Sequence, residues 1–349
     1  MSGNSPKSNP IRVGLMGFGR IGRNLYRLAT QTKDIEIPVI SDVGQPDILH
    51  YLLQKDTIHG AFKHDVNFED NNLILEDGRS TAMIMGVAPG DVPWNDYKVH
   101  LIIDATGKYL TKAHMAAHLA AGAPRVIVTN LPDESIDRIV VIGLNEGSIS
   151  AKDRMISAGS STTNPVALML KILDDAFGVE QAMMTTVHAY TADQPLADTA
   201  GKNFRRSRSA AENIIPNETP TAKWLHAILP QFKGKFDGIA LNVPVPDGSC
   251  VDLTCRIQDA ETTVEAINDA LRTAALKMPN IIEATDDPIV SSDVIHNRHS
   301  LVIDLKATMK TKGKLIKTLG WYDNGWGHAA RLIDLIHAYA QFNDKGGAA

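Results

Sequence analysis

The first half of the chain alternates continuous apolar runs with amphipathic ones. "IRVGLMGF" (11–18) reads as a buried strand, and "GRIGRNLYRLATQT" (19–32) as an amphipathic helix entered through glycines. "IEIPVISD" (35–42) is the next strand and "PDILHYLLQ" (46–54) a short helix. "VHLIIDAT" (99–106), "PRVIVTN" (124–130) and "RIVVIGL" (138–144) read as further strands, with an Ala-rich helix around 111–121. Short apolar strands separated by helices predict a parallel sheet covered on both faces.

From about residue 161 the pattern changes. A helix runs to about 177, followed by the strand-like "QAMMTTVHAY" (181–190), a long polar loop (191–217) and another helix. "DGIALNVPVP" and "SCVDLTCRIQ" read as long strands joined tightly into an antiparallel pair. "TTVEAINDALRTAAL" (262–276) is a helix; two more strands and a final helix from about 326 to 342 close the chain. The expected fold class is α/β: a Rossmann-type doubly wound parallel sheet, then an α+β domain with a mostly antiparallel sheet.

Composition narrows the function classes. With 349 residues, 44% of them hydrophobic, the chain is long enough for two ordinary domains. A net charge of −5 speaks against nucleic acid as a main partner. The two cysteines, Cys250 and Cys255, lie five apart in a strand-like run, on opposite faces, and read as buried reduced thiols. The N-terminal "MSGNSPKSNP" is polar and predicts a short disordered tail, not a signal peptide. No run approaches the roughly 18 apolar residues of a membrane helix. A soluble, cytoplasmic protein with no membrane partner is expected.

The first candidate site is the glycine turn. Gly17, Gly19 and Gly22 in "GFGRIG" have the G-x-G-x-x-G spacing, which alone also serves a plain tight turn. Here they follow a strand and open a helix, and the next strand ends at Asp42. Gly17 allows the turn, Gly19 lets a pyrophosphate approach, and Gly22 lets helix and sheet pack closely. The helix N-terminus offers N–H groups to phosphates, and Asp42 can accept from a ribose. An acidic residue there favours NAD, because it repels a 2′-phosphate.

The second candidate is "SAGSSTTNP" (157–165), where a strand meets a helix. A side chain at Ser161 feels the helix N-terminus, whose free N–H groups can hold an oxyanion. The hydroxyls of Ser160, Thr162 and Thr163 add donors for phosphate. His188 in "TTVHAYT" falls at a strand end, a position that also suits a structural histidine. "FRRSRS" (204–209) is a basic cluster open to three readings: solvated surface, capture of a phosphorylated substrate, or a subunit contact.

"GFGRIGR", "QKDTIHG", "ATGKYL", "SSTTN", "TTVHAYTADQ", "ENIIP", "VDLTCRI" and "GWYDNGWG", in this order, resemble glyceraldehyde-3-phosphate dehydrogenase over about residues 11 to 342. After the expected disordered tail over 1–10, the resemblance implies a dinucleotide-binding domain over 11–160, completed by a C-terminal helix (325–349). A catalytic domain over 161–324 completes the expected organisation. It also implies a homotetramer and a glycolytic reaction: an aldehyde, itself phosphorylated, oxidised with NAD and inorganic phosphate to an acyl phosphate. Cofactor contacts are implied at Gly17, Phe18, Gly19, Arg20, Ile21, Gly22, Asp42, Thr106, Gly107 and Thr129, and at Asn324 for the nicotinamide amide. His188 stands at the catalytic histidine. Ser160, Thr162, Thr219 and Arg206 fall at or near the site for the attacking phosphate. Thr191 and Asp193 fall where the family holds the substrate's own phosphate and the cofactor ribose.

The departures from that pattern are specific. Ser161 replaces the family's nucleophilic cysteine, and Pro165 its next cysteine. Asn242, in the substrate site, replaces a phosphate-binding arginine. "NEWGY" has become "NGWGH", with Gly325 and His328. Met16, Ser41 and Val87 alter the cofactor side, and Thr199 and Ala200 leave NADP open beside NAD. A cysteine at a helix start is readily a thiolate, whereas a serine needs full general-base activation, and its ester is a poorer acyl donor than a thioester. A substituted or native serine fits equally, but the other departures mark a divergent member. Three activities follow: a poorly active dehydrogenase, an inactive nucleotide-binding homologue with a regulatory role, or a hydrolase using Ser161 and His188.

Overall fold

The computed structural model describes residues 9–201 and 203–342. Most of the expected N-terminal tail (1–8) and the segment 343–349 of the expected C-terminal helix lie outside the described residues. The chain divides into two compact units. Of the described residues, the first takes those up to Arg138, Ser148–Ala158 and those from Leu332 to 342; the second takes Ile139–Gly147 and those between Gly159 and Arg331.

The first unit is built on a nine-stranded sheet. Its opening elements are β1 (Ile11–Met16), α1 (Arg20–Ala29), β2 (Ile35–Asp42) and α2 (Pro46–Gln54). A two-residue pair, β3 (Lys55–Asp56) and β4 (Gly60–Ala61), precedes β5 (Val66–Glu69), β6 (Asn72–Leu75) and β7 (Ser80–Met85). Then come β8 (Leu101–Asp104), α3 (Lys112–Ala120), β9 (Val126–Val128), β10 (Arg138–Ile139) and β11 (Met155–Ser157). The order is β10-β11-β9-β8-β1-β2-β7-β6-β5. The core pairs β9-β8-β1-β2 are parallel, and β5 to β7 add an antiparallel edge. From β1 the chain moves first to β2 and later returns to β8 on the other side. That reversal makes a switch point at the C-terminal ends of β1 and β8.

One expected strand is cut short. "RIVVIGL" is extended only at Arg138–Ile139. The Asn145 side chain accepts from Val141 N–H at 2.8 Å and donates to Ile139 O at 2.9 Å. A local side chain thus takes the backbone groups that a ladder would have used.

The second unit holds a seven-stranded sheet. Its elements are α4 (Thr163–Phe177), β12 (Val179–Ala189), β13 (Ile215–Glu218), α5 (Pro220–Ile228), β14 (Phe236–Val243) and β15 (Ser249–Ile257). They continue with α6 (Val264–Lys277), β16 (Ile282–Thr285), β17 (Leu301–Lys310) and β18 (Leu315–Tyr322). The last helix, α7 (Trp326–Ala340), passes from this unit into the first at Leu332. Three strands follow α6, not two; the first of them, the short β16, pairs with β17 in parallel.

The sheet order is β13-β14-β12-β15-β18-β17-β16. This corrects the expected hairpin. β14 and β15 are not partners; β12 lies between them, parallel to β14 and antiparallel to β15. Pro244 and Pro246 supply no N–H for a tight hairpin ladder. Tyr190 N–H, just past β12, donates to Val245 O at 3.1 Å and so ties the connecting loop to β12. Helix α4 packs on β12, β15 and β18. Along β12, Ala182, Met184 and Thr186 are buried, whereas Gln181 and Met183 are exposed. The period of two puts His188 on the same face as Thr186. Among the described residues no helix is long and apolar enough to cross a membrane.

Candidate active site

In the first unit the glycines form an open cradle. Gly17 has φ +91°, and a Cβ there would stand 2.7 Å from Thr106 N. A Cβ on Gly22 would stand 2.1 Å from Gly17 O, so helix and turn touch at this point. Around Gly19 there is nothing within 4 Å. Gly19 is also the N-cap of α1, with no side-chain cap and no acidic residue in the first turn. The helix therefore presents uncapped N–H groups and its positive end toward open space. That is what a pyrophosphate needs, so the residues present fit a dinucleotide.

Asp42 does more than the sequence suggests. Its Oδ2 accepts from Phe18 N–H at 2.6 Å and its Oδ1 from Gly44 N–H at 2.7 Å. It thus ties the glycine turn to the loop after β2, and each oxygen keeps a second lone pair for a ribose hydroxyl. Phe18 is buried edge-on against Tyr26, 5.7 Å between ring centres. Arg20 and Ile21 begin the helix, both half-buried. Gly107, at φ +66°, is exposed. Thr106 donates through N–H and Oγ1 to Asp104 Oδ1, at 2.9 and 2.6 Å. Asp104 Oδ2 accepts from His118 Nε2, because Trp94 donates to His118 Nδ1 at 3.2 Å and fixes the ring's tautomer. Thr129 N–H donates to Asp104 O at 3.1 Å, which places it beside the same strand end. This Trp94–His118–Asp104 support for Thr106 left no periodic signal in the sequence.

In the second unit the "GSSTT" turn opens α4. Ser160 Oγ accepts from Thr163 N–H at 3.0 Å, in the manner of a helix cap. It also lies 2.7 Å from Thr163 Oγ1, which lies 3.0 Å from Thr221 Oγ1. Thr219 caps α5 by accepting from Thr221 N–H at 3.3 Å. A chain of hydroxyls therefore joins the starts of α4 and α5, and neither first turn holds an acidic residue. Thr162 points elsewhere: its hydroxyl lies 2.9 Å from that of Tyr322.

His188 Nδ1 is 2.6 Å from Ala189 O. A carbonyl only accepts, so Nδ1 carries the proton and Nε2 is the basic nitrogen of the neutral ring. The ring packs edge-on against Tyr322, 6.2 Å between centres. Ser161 lines a small cavity of about 10 Å³ with Tyr322, Asp323 and His328, the lower limit of room for one water.

The other predicted residues fall into two groups. Thr191 donates to Asp193 at 2.5 Å, and Arg206 pairs with the same carboxylate. Burial raises the Asp193 carboxyl, but the Thr191 hydroxyl and Arg206 overcome this and hold it below its usual range. Asn242 and Asn324 are both buried. Ser249 Oγ donates to Asn324 Oδ1 at 2.9 Å, and Asn324 N–H reaches Asp247 Oδ1 at 3.3 Å. Neither cysteine is set up as a thiolate. Burial pushes the Cys250 thiol up to about 11 and the Cys255 thiol up to about 12, and both are free and buried.

An open dinucleotide cradle in one unit, and a histidine ring joined to a helix start through Tyr322 in the other, are the arrangement of a two-domain nicotinamide-linked dehydrogenase. Sequence comparison is more specific. The glyceraldehyde 3-phosphate dehydrogenase NAD-binding domain matches residues 11–112, and that family's C-terminal domain matches residues 160–324. Glyceraldehyde-3-phosphate dehydrogenase 2 of Streptomyces avermitilis is 43% identical over 328 residues, 93% of this chain and 97% of its own length. The enzyme of Streptomyces coelicolor is 44% identical over 329 residues, with the same coverage. Glyceraldehyde-3-phosphate dehydrogenase 2 of Bacillus subtilis is 40% identical over 332 residues, 95% of this chain and 97% of its own length. The chain belongs to the glyceraldehyde-3-phosphate dehydrogenase family of oxidoreductases, and NAD is its cofactor.

Proposed function

We propose that the chain oxidises an aldehyde to an acyl phosphate, with NAD and inorganic phosphate, slowly because Ser161 stands at the nucleophile position. The carrying observation is the His188 Nδ1 hydrogen bond to Ala189 O, which leaves Nε2 as the base. Nε2 takes the Ser161 hydroxyl proton as Oγ bonds to the aldehyde carbon. The positive end of α4 stabilises the oxyanion that forms. NAD, when bound, supplies the oxidising power by accepting hydride. Phosphate then displaces Oγ from the serine ester, and Oγ recovers its proton from His188. The half-buried hydroxyls of Ser160 and Thr219, at the starts of α4 and α5, suit that phosphate. Gly17, Gly19, Gly22 and Asp42 hold the dinucleotide, with Thr106, Gly107, Thr129 and Asn324 as further contacts.

A homotetramer is part of this reading. The face of the second sheet away from α4 exposes Met183 (66%) and Ile239 (40%) around the Lys317–Asp252 ion pair. Such a patch suits a self-complementary contact.

A second reading, an inactive nucleotide-binding homologue, is favoured by Ser161 itself. Incubation of the unaltered chain with NAD, aldehyde and excess phosphate, followed at the NADH absorbance, separates the two. Slow NADH formation that disappears in Ser161→Ala supports the dehydrogenase; no formation above background in either protein supports the inactive homologue.

A further inference from the structure

We propose that Asn242 sets the substrate class: the place beside His188 takes an uncharged, hydroxyl-bearing part of the aldehyde, not a phosphate. The inference rests on the dehydrogenase reading above and narrows its substrate. Asn242 and His188 are direct register partners in the parallel pair of β14 and β12, so their side chains stand on one face about 4.8 Å apart. Asn242 is only 5% exposed, and its Oδ1 is buried without a hydrogen-bond partner among the described residues. A buried amide oxygen left unpaired is costly, and natural proteins rarely keep one that nothing completes. Its position next to the base makes a bound ligand the natural partner.

The chemistry of that partner follows from the atom. Oδ1 is an acceptor and needs a donor. A phosphate dianion brings only acceptor oxygens and would be repelled; a hydroxyl brings a proton and can also accept from the amide N–H2. The charge around the position agrees. The strand neighbours Leu241 and Val243, and Ile215 across on β13, carry none. Arg206, in the basic cluster, is already neutralised by Asp193. The hydroxyl chain between α4 and α5 remains for the attacking phosphate, so only the substrate's own end changes character.

The test is calorimetric titration of the unaltered protein, Asn242→Arg and Asn242→Ala with glyceraldehyde and with glyceraldehyde 3-phosphate. The unaltered protein should bind glyceraldehyde about tenfold or more tightly than its phosphate, and Asn242→Arg should reverse the order. Asn242→Ala should weaken glyceraldehyde binding by about tenfold and gain nothing for the phosphate. This second variant decides the matter if the buried arginine prevents folding. Tighter binding of the phosphorylated aldehyde by the unaltered chain, or no binding of either, overturns the inference. NAD reduction by Ser161→Cys with the same aldehydes is scored separately. Its absence overturns the dehydrogenase reading, while the binding order alone decides the role of Asn242.

Discussion

The hydroxyl of Tyr322 sits 2.9 Å from that of Thr162, the residue directly after Ser161. The same hydroxyl lies 2.9 Å from Thr186 Oγ1, two residues before His188. One phenol therefore fixes the start of α4 against β12, the two elements that carry the proposed nucleophile Ser161 and the proposed base His188. Burial raises the Tyr322 pKa far above its usual value, so the O–H stays available as a donor. Tyr322→Phe should destabilise by about 1–2 kcal/mol, because Thr162 loses its buried partner. Thermal unfolding should show a fall of a few degrees, and Thr162→Val combined with Tyr322→Phe should cost less than the two changes summed. Strict additivity would mean the two hydroxyls are not coupled.

Gly19 and Gly22 should fail for different reasons. Gly19→Ala meets no protein atom within 4 Å, so the melting temperature should hold while NAD affinity drops as the methyl group enters the pyrophosphate space. Gly22→Ala would press on Gly17 O, 2.1 Å from the new Cβ, and should lower stability itself. Titration with NAD beside thermal melts separates the two; a Gly19→Ala protein with full NAD affinity would remove the cradle from the account.

His188→Ala, made in a Ser161→Cys background, should lower aldehyde oxidation by about 10²- to 10⁴-fold with NAD affinity unchanged. An unaffected rate would show that another group takes the proton.

Burial, reinforced by the neighbouring Asp247 carboxylate, pushes Asp323 up to about 7 despite N–H groups from Trp326, His296 and Gly325. Its ordinary value is 3.8, so between about 4 and about 7 the folded state holds more protons than the unfolded one. This group's stability contribution is full below that window and is lost as pH rises through it. Asp247→Asn removes the neighbouring charge and should move the loss to lower pH. The variant's melting temperature should gain on the parent's as pH rises toward about 8; parallel curves would show that the two carboxylates do not interact.

Local signals made some of the fold legible. The strand–glycine–helix–strand run from Ile11 to Asp42 carries its own periodicity and turn chemistry, and the structure reproduces it. Non-local choices left no such trace. Nothing in "DGIALNVPVP" says that β12, some fifty residues earlier, lies between it and β15. Nor does "RIVVIGL" reveal that the Asn145 side chain ends its strand after two residues. At the site, Gly17, Ser161 and His188 stood out by residue type. Tyr322, Thr186 and Thr221 did not, because a hydroxyl in a buried strand or helix start looks like ordinary core until its partner is known. The spacing marks Asp42 as a ribose acceptor; the structure adds that it holds Phe18 and Gly44.

In the proposed mechanism the scaffold is a competent dehydrogenase limited by one oxygen atom. The most direct measurement is the rate of NAD reduction by Ser161→Cys, with aldehyde and with or without inorganic phosphate, beside the unaltered chain. The account predicts a gain of at least about a hundredfold that depends on phosphate, because a thiolate replaces a hydroxyl and a thioester replaces an ester. A Ser161→Cys protein that binds NAD but oxidises no aldehyde faster than the serine form would contradict it.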